Sequence, residues 1–158
     1  MLARGAAPDL RNARGLSLFD QRNETDKRLG RSIDAHMGAF HIGCTVENHI
    51  YRSKSARIRK LLVDTGSEHT WLPANTLEKI GVVREKKDIS FVMANGQVVT
   101  RSVGFAILRV DEHFTIDEVV FAERGDLLLL GARTLEGLNL VVDAVKKKLV
   151  AAGPIPAA

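Results

Sequence analysis

An aliphatic run that ends on one acid and a glycine turn, Leu61-Leu62-Val63-Asp64-Thr65-Gly66-Ser67, constrains this chain more than any other stretch. Three consecutive apolar residues read as a buried strand, and the glycine permits the tight turn that follows. The strand therefore delivers one carboxylate to a fixed place. The hydroxyls of Thr65 and Ser67 stand where they can donate hydrogen bonds to that carboxylate, and the apolar run keeps bulk water away. Taken alone, Asp-x-Gly after a strand is also an ordinary turn.

The surrounding pattern is mostly β. Residues 39–50, AFHIGCTVENHI, alternate apolar and polar, and Ile58 to Val63 continue that alternation after a basic turn, which predicts a hairpin leading into Asp64. Pro73 and ANTLEKIG predict a short helix closed by Gly81, with Leu77 and Ile80 on one face. Asn95-Gly96 between the apolar runs Phe91–Met93 and Val98–Val99 is a strong hairpin signal and predicts a turn with positive φ at both central residues. Strands over Gly104–Val110 and Phe114–Ala122 meet at a polar turn, Asp111-Glu112-His113. Leu127 to Leu130 read as a fully buried strand, Gly131 as a point of close backbone approach, and Thr134 to Leu138 as a second short helix. Leu140–Asp143 and Lys148–Val150 form a closing hairpin with Asp143 as a turn residue.

Composition limits the organisation and the function. A chain of 158 residues with 45% apolar content can bury one core, so a single domain is expected. Residues 1–36 are poor in large apolar residues and lack a sustained period, and they read as a disordered N-terminal region. The acids Asp9, Asp20, Glu24, Asp26 and Asp34 argue against a mitochondrial presequence. The folded domain is expected over 37–150, with residues 151–158 as a flexible C-terminal tail. One cysteine, Cys44, permits no internal disulfide and reads as packing in a strand. No apolar run nears the roughly 20 residues of a membrane span, so a soluble, cytoplasmic protein is expected. The charge of +4 comes from local clusters such as Arg52, Lys54, Arg57, Arg59 and Lys60, which are not interleaved with aromatics; nucleic-acid binding is therefore not the favoured reading.

The stretch Leu62-Val63-Asp64-Thr65-Gly66-Ser67, running on to Thr70, Leu72 and Pro73, resembles the active-site signature of the retropepsin-like aspartic proteases. A second element of that family, an aliphatic run ending in Gly and then a short helix, is matched by Leu127-Leu128-Leu129-Leu130-Gly131 and the following ARTLEGLNLVVD. The resemblance spans about Gly38 to Val150 and implies a mostly β, single-domain, retropepsin-like closed β-barrel with one or two short helices. It implies Asp64 as the catalytic residue, with Thr65, Gly66 and Ser67 supporting the active-site loop. Glu68 and His69 fall where retroviral relatives carry two acidic residues that touch substrate, and the Asn95-Gly96 hairpin falls where the family places its flap. His69 departs from the acidic pair, and Trp71 is larger than the aliphatic residue common there and reads as core before subsite. Arg133 stands one residue later than the arginine of retroviral relatives, where an ion pair with Glu68 is one option.

The chemistry then follows from a count. Hydrolysis of a peptide bond by carboxylates needs one carboxyl as base and one as acid, sharing a proton. The chain holds one Asp-Thr-Gly and no second copy, so the expectation is a homodimer that brings Asp64 and its twin together over a peptide or protein substrate. A hydroxyl from Ser67 on the carboxylate would favour its charged form and an acid working pH. No metal, organic cofactor or covalent intermediate is required. A zinc site from His36, His41, Cys44 and His49 fits no familiar spacing, and His41 and Cys44 fall on opposite faces of a strand. Ser67 and His69 do not form a nucleophile and base pair, since adjacent turn residues rarely aim at one another. The alternatives are a non-catalytic retropepsin-like module that dimerises and binds a peptide or partner, and, behind it, a small barrel binding RNA through basic loops.

Overall fold

The computed structural model describes residues 39–157. The expected disordered region 1–36 and the domain start at Met37-Gly38 lie outside those residues. Nine strands and two short helices follow in order: β1 (His41–Asn48), β2 (Ser55–Val63), β3 (Thr70–Pro73), α1 (Ala74–Lys79), β4 (Lys86–Val92), β5 (Val98–Val110), β6 (His113–Ala122), β7 (Leu129–Leu130), α2 (Ala132–Leu138), β8 (Leu140–Asp143) and β9 (Lys148–Ala151), all among the described residues. The fold is mostly β, as the alternation predicts.

Seven strands make one mixed sheet in the order β1-β2-β7-β3-β6-β5-β4, while β8 and β9 pair separately. The hairpins β1–β2, β4–β5 and β5–β6 are antiparallel; β2–β7 and β3–β6 are parallel. The pairing of Thr45–Asn48 in β1 with Ala106–Arg109 in β5 adds a link between strands that are distant in the sheet order. Such a link is what a closed barrel requires; the pairings make a seven-stranded mixed sheet.

One residue span expected as two separate strands is continuous. β5 runs unbroken over Val98–Val110, pairing its first half with β4 and its second half with β6 and β1. The inward positions of β1, β2, β5 and β6, including Val46, Leu61, Leu108, Val119 and Phe121, meet Leu72, Leu77 and Leu130 in the main core. Each fully buried side chain of this size contributes about 1.5–3 kcal/mol. A smaller cluster of Trp71, Val103, Val120, Ala122 and Leu129 lies beneath Ile89, Phe91, Met93 and Val99 of the β4–β5 hairpin. The two clusters give the sheet two separate apolar layers, and the second is where the hairpin rests.

Ends of elements are fixed by polar groups. The buried amide of Asn48 accepts the N–H groups of Ile50 and Tyr51, each at 2.9 Å, and donates to the Ile80 carbonyl at 2.9 Å. It thereby terminates β1 and fastens the following loop to α1, which ends before Gly81 at φ +80° as predicted. At the other end, α2 closes on Asn139 in the left-handed region. Ala152 donates to the Asn139 carbonyl at 2.9 Å and the Asn139 amide donates to Gly153 O at 2.8 Å, so the first residues of the expected tail are hydrogen-bonded to the domain.

Leu127 corrects the expected strand over 127–130. Only Leu129 and Leu130 pair as β7, and Leu127 is 59% exposed. A run of leucines carries no period that distinguishes its inward members, so the strand's short extent is not visible in it.

Candidate active site

β2 ends at Val63 and hands Asp64 to a turn. Asp64 N–H donates to the Leu130 carbonyl (3.0 Å), and the Ser67 N–H donates back to the Asp64 carbonyl (3.1 Å). The Gly66 N–H donates to Asp64 Oδ1 at 2.9 Å, orienting the carboxylate from the backbone. Asp64 is 6% exposed, whereas Thr65 and Gly66 just beyond it are exposed. The carboxylate thus sits at the inner wall of an open turn.

Ser67 differs from expectation. Its hydroxyl donates to the His69 carbonyl at 3.0 Å, and the Gly66 amide is one donor that orients the carboxylate. Ser67 thereby braces the next residues of the loop.

The other wall is the start of α2. The first amides of a helix have no intrahelical partners. In α2 they are taken by the active-site loop: Ala132 N–H donates to Ser67 O at 2.8 Å and Arg133 N–H to Glu68 O at 3.2 Å. No side chain caps this helix. Gly131, the expected point of close approach, sits directly against the loop: a Cβ there would run into the carbonyl oxygen of His69.

Two fully buried hydroxyls lie under this junction. Thr70 Oγ1 accepts the Gly131 N–H at 2.9 Å, Thr70 and Thr134 Oγ1 are 2.6 Å apart, and Thr134 donates to Asp117 Oδ2 at 2.9 Å. Thr134 and Asp117 were not foreseen as site residues; they lie far from Asp64 in sequence, and nothing local to either marks the connection.

Arg133 turns away from the option of pairing with Glu68. Its guanidinium lies 3.5 Å from Asp117 Oδ1 and 3.5 Å from Glu118 Oε1, and only its backbone N–H meets Glu68. Glu68 is exposed, and His69 is half-buried, with Nε2 at 3.4 Å from Glu118 Oε1. Lys86 at the start of β4 completes this charged group and, by its hydrogen bond, is the main cause that holds the Glu118 carboxyl below the usual carboxylate range; His69 adds to it.

The hairpin that carries Asn95 and Gly96 has a different turn from the one predicted. Of its turn residues only Gly96 has positive φ, at 86°. Gly96 N–H donates to Met93 O (2.9 Å) and Met93 N–H to Gln97 O (2.7 Å), so three residues, Ala94–Gly96, make the loop, with glycine in the left-handed position. The dipeptide announces the hairpin but does not choose between these closely related turns. Asn95 and Gly96 are exposed at the tip, while Phe91 makes edge contacts with Trp71 (5.2 Å) and His69 (5.6 Å). Trp71 is thus core, and Phe91 joins the hairpin both to it and to His69 of the Asp64 loop.

Elsewhere, Cys44 is packed in the core, and burial pushes its thiol up to about 11, which suits packing over reactivity. Among the described residues no group of three or more His, Cys, Asp or Glu side chains is arranged to hold a metal ion, and no helix is long and apolar enough to cross a membrane. Of the zinc candidates, His36 lies outside the described residues.

A family model described as gag-polyprotein putative aspartyl protease matches residues 55–137, just over half of the chain, from the start of β2 to the last turn of α2. No curated protein matches the chain.

Proposed function

Because the chain belongs to the gag-polyprotein putative aspartyl protease family, whose fold and signature are retropepsin-like, we propose that it is an aspartic endopeptidase that works as a homodimer. The observation that carries this reading is Asp64 itself. Among the described residues it is the one buried carboxylate, set at an open turn and oriented by a backbone amide. Burying a carboxylate is costly, and such groups concentrate where chemistry needs them.

With one Asp-Thr-Gly per chain, the second carboxyl comes from a second copy. Across the two-fold axis, the ionised member of the pair removes a proton from a water molecule, which attacks the scissile carbonyl carbon. The protonated member donates its proton to the carbonyl oxygen as the tetrahedral intermediate forms. Collapse of that intermediate breaks the C–N bond once the amide nitrogen has been protonated. Two carboxyls sharing one proton are the known arrangement of aspartic-protease dyads. In this reading Thr65 supports the active-site loop across the dimer, Gly66 lets the substrate backbone approach, Glu68 and His69 contact substrate, and Asn95 and Gly96 form the tip of a flap over an extended peptide. The β1–β5 link closes the sheet into the family's barrel.

The test compares wild type with Asp64→Asn on an unstructured protein, from acid to neutral pH, at several enzyme concentrations. Cleavage is expected from wild type, with specific activity rising as dimer forms, and to fall by about 10²–10⁴-fold or more in the variant. A dimer that cleaves nothing at any pH defeats the peptidase reading and leaves a peptide-binding module of the same family.

A further inference from the structure

The segment Leu130–Arg133 is the frame on which the Asp64 loop is hung. Leu130 O receives the Asp64 N–H, and the amides of Ala132 and Arg133 hold the carbonyls of Ser67 and Glu68. Between those bonds, the Gly131 N–H enters the protein interior and is met by the Thr70 hydroxyl. What fixes that hydroxyl is decided by proton count. Thr134 has one hydroxyl proton, and it is donated to the Asp117 carboxylate, an acceptor. Thr134 Oγ1 must then accept from Thr70, which leaves Thr70 Oγ1 free to accept from Gly131. The chain of bonds therefore runs in one direction, from the Gly131 amide through two buried threonines to a half-buried carboxylate. Asp117 is held in turn, with its other oxygen accepting the Glu118 N–H at 2.7 Å and facing Arg133 at 3.5 Å.

Resting on the peptidase reading above, we propose that Thr134 is a positioning residue for Asp64, acting through Thr70 and the Leu130–Arg133 segment and anchored by Asp117. Without the Thr134 hydroxyl, the Thr70 proton loses its acceptor inside the protein. Thr70 then turns to find another, and Gly131 loses the acceptor that sets the height of the frame. Unsatisfied buried polar groups are expensive enough to force such a shift. A displacement of the frame moves the carboxylate with it, and catalytic geometry tolerates little displacement.

The experiment uses the full chain as dimer, with wild type, Asp64→Asn, Thr134→Val, Thr134→Ser and Asp117→Ala. Turnover of a peptide substrate and amide hydrogen exchange at Gly131, Gly66 and the 93–97 turn are both read. Thr134→Val is expected to lower kcat about 10- to 100-fold with KM within about twofold, and to speed exchange at Gly131 and Gly66 but not in the hairpin turn. Thr134→Ser, which keeps the hydroxyl, restores most of both. Wild-type kcat and exchange in Thr134→Val overturn the proposal. So does exchange that quickens evenly across the sheet, which marks a merely structural role. If Thr134→Val does not fold, Asp117→Ala is judged by the same criteria, with the same direction expected. If wild type itself cleaves nothing, the peptidase reading fails, and the positioning claim is decided by exchange alone: a change confined to Gly131 and the Asp64 loop upholds it, and no change refutes it.

Discussion

The turn after Asp64 and the turn at Asn95-Gly96 both place a glycine between apolar strands, yet they are held in different ways. Besides its own bonds, the first is pinned from outside itself, by Leu130, by the first amides of α2 and by Gly131 pressed against the His69 carbonyl. The second is held by its own bonds, Gly96 to Met93 and Met93 to Gln97, with open space where a Gly96 side chain would point. Gly131 is required by a neighbour; Gly96 is required by its own φ of 86°. A turn fixed by distant residues can hold a reacting group still, while a turn fixed locally is free to move as a unit.

Trp71 is the buried base on which Phe91 of the hairpin rests, and its removal should have the largest effect. Trp71→Ala is expected to cost about 3–5 kcal/mol of stability and to free the hairpin, read by urea unfolding and by faster exchange over residues 89–93. A loss below 1 kcal/mol, with a changed cleavage preference, would make Trp71 a subsite wall instead.

Gly131→Ala comes next. The added methyl meets backbone, which cannot swing aside, so a loss of about 1–3 kcal/mol is expected together with loss of turnover. Gly96→Ala meets nothing and suffers only the left-handed backbone cost, about 1 kcal/mol, and its effect on cleavage should fall on KM. Equal losses at the two positions would mean that both turns are held in the same way.

How much of this contrast is written locally can be seen residue by residue. The β1–β2 and β5–β6 hairpins, α1 with Gly81, and the strand into Asp64 all follow from alternation, turn chemistry and capping, which depend on near neighbours in sequence. The close approach at Gly131 was legible because a glycine ending an apolar run has few other uses. The partners of Ser67 and Arg133 were not legible, since each side chain has several acceptors within reach and the choice depends on packing across the sheet. The Thr70–Thr134–Asp117 series spans three elements, and the parallel placement of β3 beside β6, with α2 packed against both, brings it together. The β4–β5 turn was located by Asn-Gly but given the wrong type, because both types use the same glycine.

The smallest effect concerns the base of the hairpin. Arg101 on β5 grips Asp126 with two bonds, at 2.7 and 2.8 Å, and holds that carboxyl below its usual range, chiefly by hydrogen bonding. A folded-state pKa below the unfolded value, about 3.9, means that the unfolded chain binds the proton first. The pair therefore stabilises above that pH, and its contribution disappears as pH falls through the folded value. Arg101→Met should flatten this acid limb of the stability curve by no more than about 1 kcal/mol, measured by denaturant midpoints between neutral and acid pH. An unchanged acid limb would mean that the hairpin base is not fastened by this pair.

The two-residue strand β7 stitches Leu62 to Leu129 and Trp71 to Leu129, segments of chain made far apart in time during synthesis. Seams of this kind close slowly, because long loops must be drawn together before anything rewards them. A newly made copy consequently carries Asp64 for a while before the Leu130 segment pins the turn that holds it. In the peptidase we propose, activity would therefore follow completion of the sheet.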